Sequence, residues 1–74
     1  MIRFHLKRKI SDWEFREGRH LTIAELAEKS GVARPTISRI LNQKRYNTTT
    51  DNIGRLCAFF DCPVEELVEY VRDE

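Results

Sequence analysis

Apolar side chains fall at helical spacings along most of the chain. Ile2, Leu6, Ile10 and Trp13 recur every three or four residues, which places them on one face of a helix and predicts a first helix over about 2–16, ended by Gly18. Ile23, Leu26 and Ala27 repeat the pattern behind Thr22, which with Glu25 has the form of a capping box. This second helix is short, and Gly31 is placed to end it with positive φ. A third begins near Ala33 or Arg34, because Pro35 lacks an amide hydrogen and fits only the first helical turn. Ile37, Ile40 and Leu41 form its inward side. The polar stretch from Tyr46 to Thr50 reads as a loop, with Thr49 or Thr50 capping a fourth helix on Ile53, Leu56, Cys57 and Phe60. Asp61-Cys62-Pro63 breaks that helix, and Val64 to about Val71 makes a fifth, with Leu67, Val68 and Val71 inward. No stretch alternates as a strand, and there is no internal repeat or low-complexity linker. The expectation is an all-α, compact five-helix unit spanning 1–74 as one domain.

Length and composition support that expectation. Seventy-four residues hold one small core and leave little room for a deep substrate pocket. Hydrophobic residues at 41% and charged residues at 34% describe a folded globule rather than a disordered chain. No apolar run approaches the roughly 20 residues of a membrane span, and the charged start lacks a signal-peptide core, so a cytoplasmic protein away from membranes is expected. Cys57 and Cys62 have no second ligand pair, and His5 and His20 stand apart. Neither a metal site nor any other cofactor is implied. Asp12, Glu14, Glu17, Glu65, Glu66 and Glu69 suit helix surfaces, and nothing groups them into an enclosed acid–base site, so the chain does not read as an enzyme.

Charge is divided along the chain. Through Arg45 there are 11 Lys or Arg against 5 Asp or Glu; from Tyr46 onward 2 stand against 7. The local field at such a basic face governs encounter with a polyanion more than the net charge of +1 does. Arg3, Lys7 and Lys9 sit on the polar side of the first predicted helix, available to solvent or to a phosphate backbone. The third helix turns Arg34, Pro35, Ser38 and Arg39 outward, followed by Asn42, Lys44 and Arg45. In the second helix of a helix-turn-helix such a face can enter the major groove, where arginine donates two hydrogen bonds to guanine O6 and N7.

The segment from Leu21 to Val32, followed by Arg34-Pro35-Thr36-Ile37-Ser38-Arg39-Ile40-Leu41-Asn42, resembles the lambda-repressor-like, Cro/C1-type (XRE) helix-turn-helix family. The patterns at 53–60 and 62–67 look like that family's last two helices. The resemblance places the helix-turn-helix at about 22–42 and implies a sequence-specific, repressor-like regulator that binds double-stranded DNA, with a recognition helix at about 34–41. It gives Arg34, Pro35, Ser38 and Arg39 base-facing positions, and it places Thr22, Thr36, Asn42, Lys44 and Arg45 at phosphates. Two positions depart from the family's habit: Ile23 stands where glutamine is common and Ala33 where a small hydroxyl residue usually caps the recognition helix. Such regulators often pair on palindrome-like sites, and Phe59, Phe60, Val68, Tyr70 and Val71 offer apolar material for a homodimer. The alternative is an antitoxin-like or adaptor module, whose acidic last helix would hold a protein partner while DNA binding is secondary.

Overall fold

In the computed structural model, which describes residues 1–72, the chain runs β1 (Ile2–Phe4), α1 (Leu6–Glu17), α2 (Ile23–Ser30), α3 (Arg34–Asn42), α4 (Thr50–Phe60), α5 (Val64–Leu67) and β2 (Val68–Tyr70). Asp73 and Glu74, the end of the predicted 1–74 unit, lie outside the described residues. All five expected helices are present. Gly18 ends α1 at φ 72°, and Gly31 ends α2 at φ 81°, backbone that costs glycine little and other L-residues more. Thr22 and Thr49 cap α2 and α4, their hydroxyl oxygens accepting the amides of Glu25 and Asn52 at 3.1 Å each. Ala33 starts α3 with no side-chain cap, and Pro35 occupies its first turn.

Both ends of the chain depart from the helical expectation. Ile2–Phe4 and Val68–Tyr70 form an antiparallel ribbon, Ile2 opposite Tyr70 and Phe4 opposite Val68. The first helix therefore begins at Leu6, and the fifth stops at Leu67 rather than near Val71. The four-residue spacing of Ile2 and Leu6 imitates a helix locally. The partner strand that settles the matter lies more than sixty positions away in sequence. Once paired, the ribbon supplies backbone bonds that a longer α5 would have supplied within itself. The His5 amide donates to the Leu67 carbonyl at 2.7 Å, and the Val71 amide to that of Met1 at 2.8 Å.

The core draws on every helix: Leu6 and Trp13, Leu21, Leu26, Val32, Ile37 and Ile40, Leu56 and Phe60, and Leu67 are buried. Phe59 packs at its margin, 6.2 Å from Trp13 and edge-on to Phe60 at 4.9 Å. The Arg19 guanidinium lies 4.8 Å from the centre of the Trp13 ring, a cation–π contact that closes the α1–α2 corner.

The expected capping box is only half made. The Glu25 carboxylate does not return to the Thr22 amide; it takes a two-pronged bond from Arg19 at 2.8 and 2.7 Å and a third contact from Lys29 at 3.0 Å. Arg19 first, then Lys29, hold Glu25 at a pKa of about 2, below the usual carboxylate value of 4.5. Because the folded-state pKa is the lower one, this stabilisation is present above pH 4.5 and is lost as pH falls towards 2. Glu25→Gln should therefore flatten the acid limb of stability, read by circular dichroism across that interval. Equal acid sensitivity of both proteins would show that the network does not contribute.

Candidate nucleic-acid interface

Leu26, Val32 and Ile37, each almost inaccessible to solvent, and Ile40, also buried, lock α3 against α2. The Ser30 hydroxyl braces the turn by accepting the Val32 amide at 3.2 Å. At about 100° per residue, Arg34, Ser38, Pro35 and Arg39 occupy an arc of roughly 140° centred opposite Ile40. Burial of Ile40 thus dictates which side of α3 faces out. Arg34, Pro35 and Arg39 are exposed, and Ser38 is half-buried. The two guanidiniums stand at the edges of the arc, with the small Ser38 and Pro35 between them. Among the described residues neither arginine has an ion-pair partner.

The predicted phosphate-contacting residues fall into two groups. Thr22 and Asn42 line one groove with Ile23 of α2 and with Lys7 and Ser11 of α1. The Thr22 oxygen is used by the Glu25 amide, which leaves its hydroxyl hydrogen to donate outward. One Asn42 amide hydrogen is committed to the Ser38 carbonyl at 2.8 Å. Lys44 and Arg45 line a neighbouring groove that also includes Arg3 and Asn42. Thr36 lies apart, half-buried and about 60° beyond Arg39 on α3.

Ion pairing separates the cations into two sets. Lys9 is tied to Glu66 at 3.0 Å, Arg55 to Asp51 at 2.7 Å and Arg19 to Glu25 at 2.7 Å. Lys9, expected on the open side of the first helix, is thus turned towards α5. Arg3, Lys7, Arg8 and Lys44 are exposed and have no ion-pair partner among the described residues. Arg8 shares a groove with Arg3, Lys7 and the end of α3, a placement the sequence pattern did not single out. The start of the chain therefore adds unneutralised positive charge beside the exit of α3, where phosphates are attracted without regard to sequence.

The predicted dimer residues are dispersed. Phe60 is buried in the core and unavailable at a surface; Phe59, Val68 and Val71 are half-buried. Tyr70 is 74% exposed beside Ile2 at 48%. The acids counted towards a partner-binding last helix are partly engaged, Glu66 with Lys9 and Glu69 with His5 at 2.7 Å. Among the described residues no three metal-ligating side chains cluster, and no helix is long and apolar enough to cross a membrane.

A helix pair locked from beneath, with an outward arginine-bearing face and flanking free cations, defines a helix-turn-helix of the DNA-binding type. Residues 13–73 match the Cro/C1-type HTH DNA-binding domain, and the chain belongs to that family. Over 55 residues it is 40% identical to a Bacillus subtilis (strain 168) protein described as an uncharacterized HTH-type transcriptional regulator, RghRB. That alignment covers 74% of this chain but 40% of the relative, so the chain spans well under half the relative's length. No solved structure matches it.

Proposed function

We propose that this protein is a sequence-specific, repressor-like transcriptional regulator that binds double-stranded DNA in the cytoplasm and places α3 in the major groove. The observation that carries the reading is the outward face of α3, where Arg34 and Arg39 stand exposed and, among the described residues, without ion-pair partners. Membership of a DNA-binding family supports it. Arg34 and Arg39 read base edges, Ser38 adds a short hydroxyl contact, and Pro35 offers its ring to a thymine methyl. Thr22, Thr36, Asn42, Lys44 and Arg45 contact phosphates and fix the register, joined by Lys7 across the groove it shares with Thr22. Residues 1–74 act as one domain in this reading. Repression follows from occupancy, since a protein seated on a promoter excludes other proteins from the same groove.

Selection from a random double-stranded DNA library tests this directly. An enriched inverted repeat that outcompetes its scrambled control at a stated salt concentration supports the proposal, and no enrichment overturns it. Lys44→Ala should weaken binding to preferred and scrambled duplexes alike and reduce the slope of log affinity against log salt by about 0.9, the expected loss of one phosphate contact. An unchanged slope would remove Lys44 from the phosphate contacts.

Two copies on successive major-groove faces, about 34–36 Å apart, would double the contact set. The exposed Tyr70 and the adjoining Ile2, with the half-buried Val71 beside them, form the patch proposed for homodimerisation. In sedimentation, Tyr70→Asp should shift a concentration-dependent dimer towards monomer. Unaltered self-association would place the interface elsewhere.

A further inference from the structure

The corner after α4 sets two cysteines at the two outer positions of one backbone cap. Asp61 adopts left-handed backbone at φ 52°, its amide donates to the Ala58 carbonyl at 3.3 Å, and the Cys62 amide donates to the Cys57 carbonyl at 3.1 Å. These two bonds are the nested pair of a Schellman cap, in which the side chains at the two outer positions frequently meet. Here both outer positions are cysteines. Both are free thiols, half-buried against the core. A cap that ordinarily joins two inert apolar groups therefore joins two groups that can be oxidised. The backbone bond between the same residues holds their main chains close together, the first condition that a disulfide imposes.

We propose that Cys57 and Cys62 form a reversible dithiol–disulfide clip at the end of α4, closed by exchange with a small-molecule disulfide of the glutathione type. One cysteine thiolate attacks a sulfur of the small disulfide, forming a mixed disulfide and expelling one small thiol. The other cysteine gives up its proton and attacks the mixed disulfide, forming the Cys57–Cys62 bond and expelling the second small thiol. Two protons and two electrons leave the protein, and the small disulfide is reduced to two thiols. The closed clip fastens the end of α4 to the turn that leads into α5. The carbonyl of Leu67 in α5 holds the His5 amide, and β2 follows to pair with β1.

The surroundings set the rate. Burial first, then the adjacent Cys62, with Glu65 of α5 adding and Lys9 of α1 opposing, raise the pKa of the Cys57 thiol. Exchange consumes thiolate, so closure should accelerate as pH rises through the thiol range.

The test equilibrates the full chain with defined ratios of reduced and oxidised glutathione, quenches with acid, alkylates and weighs the products, once folded and once in urea. The folded protein is expected to yield a monomer lighter by two hydrogens. Its equilibrium constant for closure should exceed that of the unfolded chain by at least about tenfold, equivalent to about 30 mV for a two-electron couple. Equal constants in the two states would overturn the proposal, because the fold would then contribute nothing to pairing. Mixed glutathione adducts or disulfide-linked dimers as the main folded product would overturn it as well.

Discussion

Arg39→Ala is expected to lower affinity for the preferred duplex by about 1–3 kcal/mol, roughly 5- to 150-fold, while binding to random duplex falls much less. The difference follows from where Arg39 sits. It is exposed at one edge of the outward arc of α3 and has no ion-pair partner among the described residues. Its guanidinium is therefore available to form two parallel hydrogen bonds with a guanine. Random duplex is held chiefly through phosphates, and that term loses one charge rather than a matched pair of bonds. Arg39→Lys sharpens the test because it keeps the charge and removes the planar fork. Lysine should preserve random binding and lose much of the preference. Equal losses on the two duplexes for Arg39→Ala, or full retention of preference by lysine, would exclude bidentate base reading by this residue. Arg34, at the opposite edge of the arc, serves as an internal comparison: if the two arginines read different base pairs, their alanine variants should relax preference at different positions of the selected site.

The helix-turn-helix was legible because its determinants are local. Thr22 caps α2, Gly31 supplies left-handed backbone, Pro35 marks the first turn of α3, and Ile37 and Ile40 fix its inward side. Each of these works within a few positions of chain. The ribbon of Ile2–Phe4 with Val68–Tyr70 was not legible, because neither three-residue strand carries enough alternation to announce itself and each exists through the other. The same limit hid which cations are free. Arg3, Lys7, Arg8 and Lys9 look alike in sequence, yet Lys9 meets Glu66, more than fifty positions away, and the other three have no ion-pair partner among the described residues. Phe60 shows the converse: its apolar character was read correctly, but whether it faced a partner or the core depended on how completely Leu6, Trp13 and Leu67 enclosed the interior.

Leu26→Ala is expected to remove about 2–5 kcal/mol of stability, the usual cost of deleting a fully buried leucine side chain and leaving a partly unrelaxed cavity. Leu26 has no exposed surface and belongs to α2, the helix that packs against α3 and α4. At roughly 0.05–0.15 kcal/mol per residue, a domain of this length has about 4–11 kcal/mol of total stability to lose. The variant should therefore range from strongly destabilised to largely unfolded, and its thermal midpoint should fall by roughly 8–40 °C, at about 4–8 °C per kcal/mol for a small domain. Its DNA phenotype differs in kind from that of Arg39→Ala. Leu26 contacts no base, so affinities for preferred and random duplexes should fall by a common factor set by the folded fraction. Duplex that binds only the folded state should raise the variant's midpoint in proportion to the logarithm of free duplex concentration. Thermal melts with increasing preferred duplex, compared with a scrambled control, separate the cases. A midpoint indifferent to duplex would show that the folded form of the variant no longer binds, whereas an unchanged midpoint without DNA would mean that Leu26 is not the keystone its burial indicates.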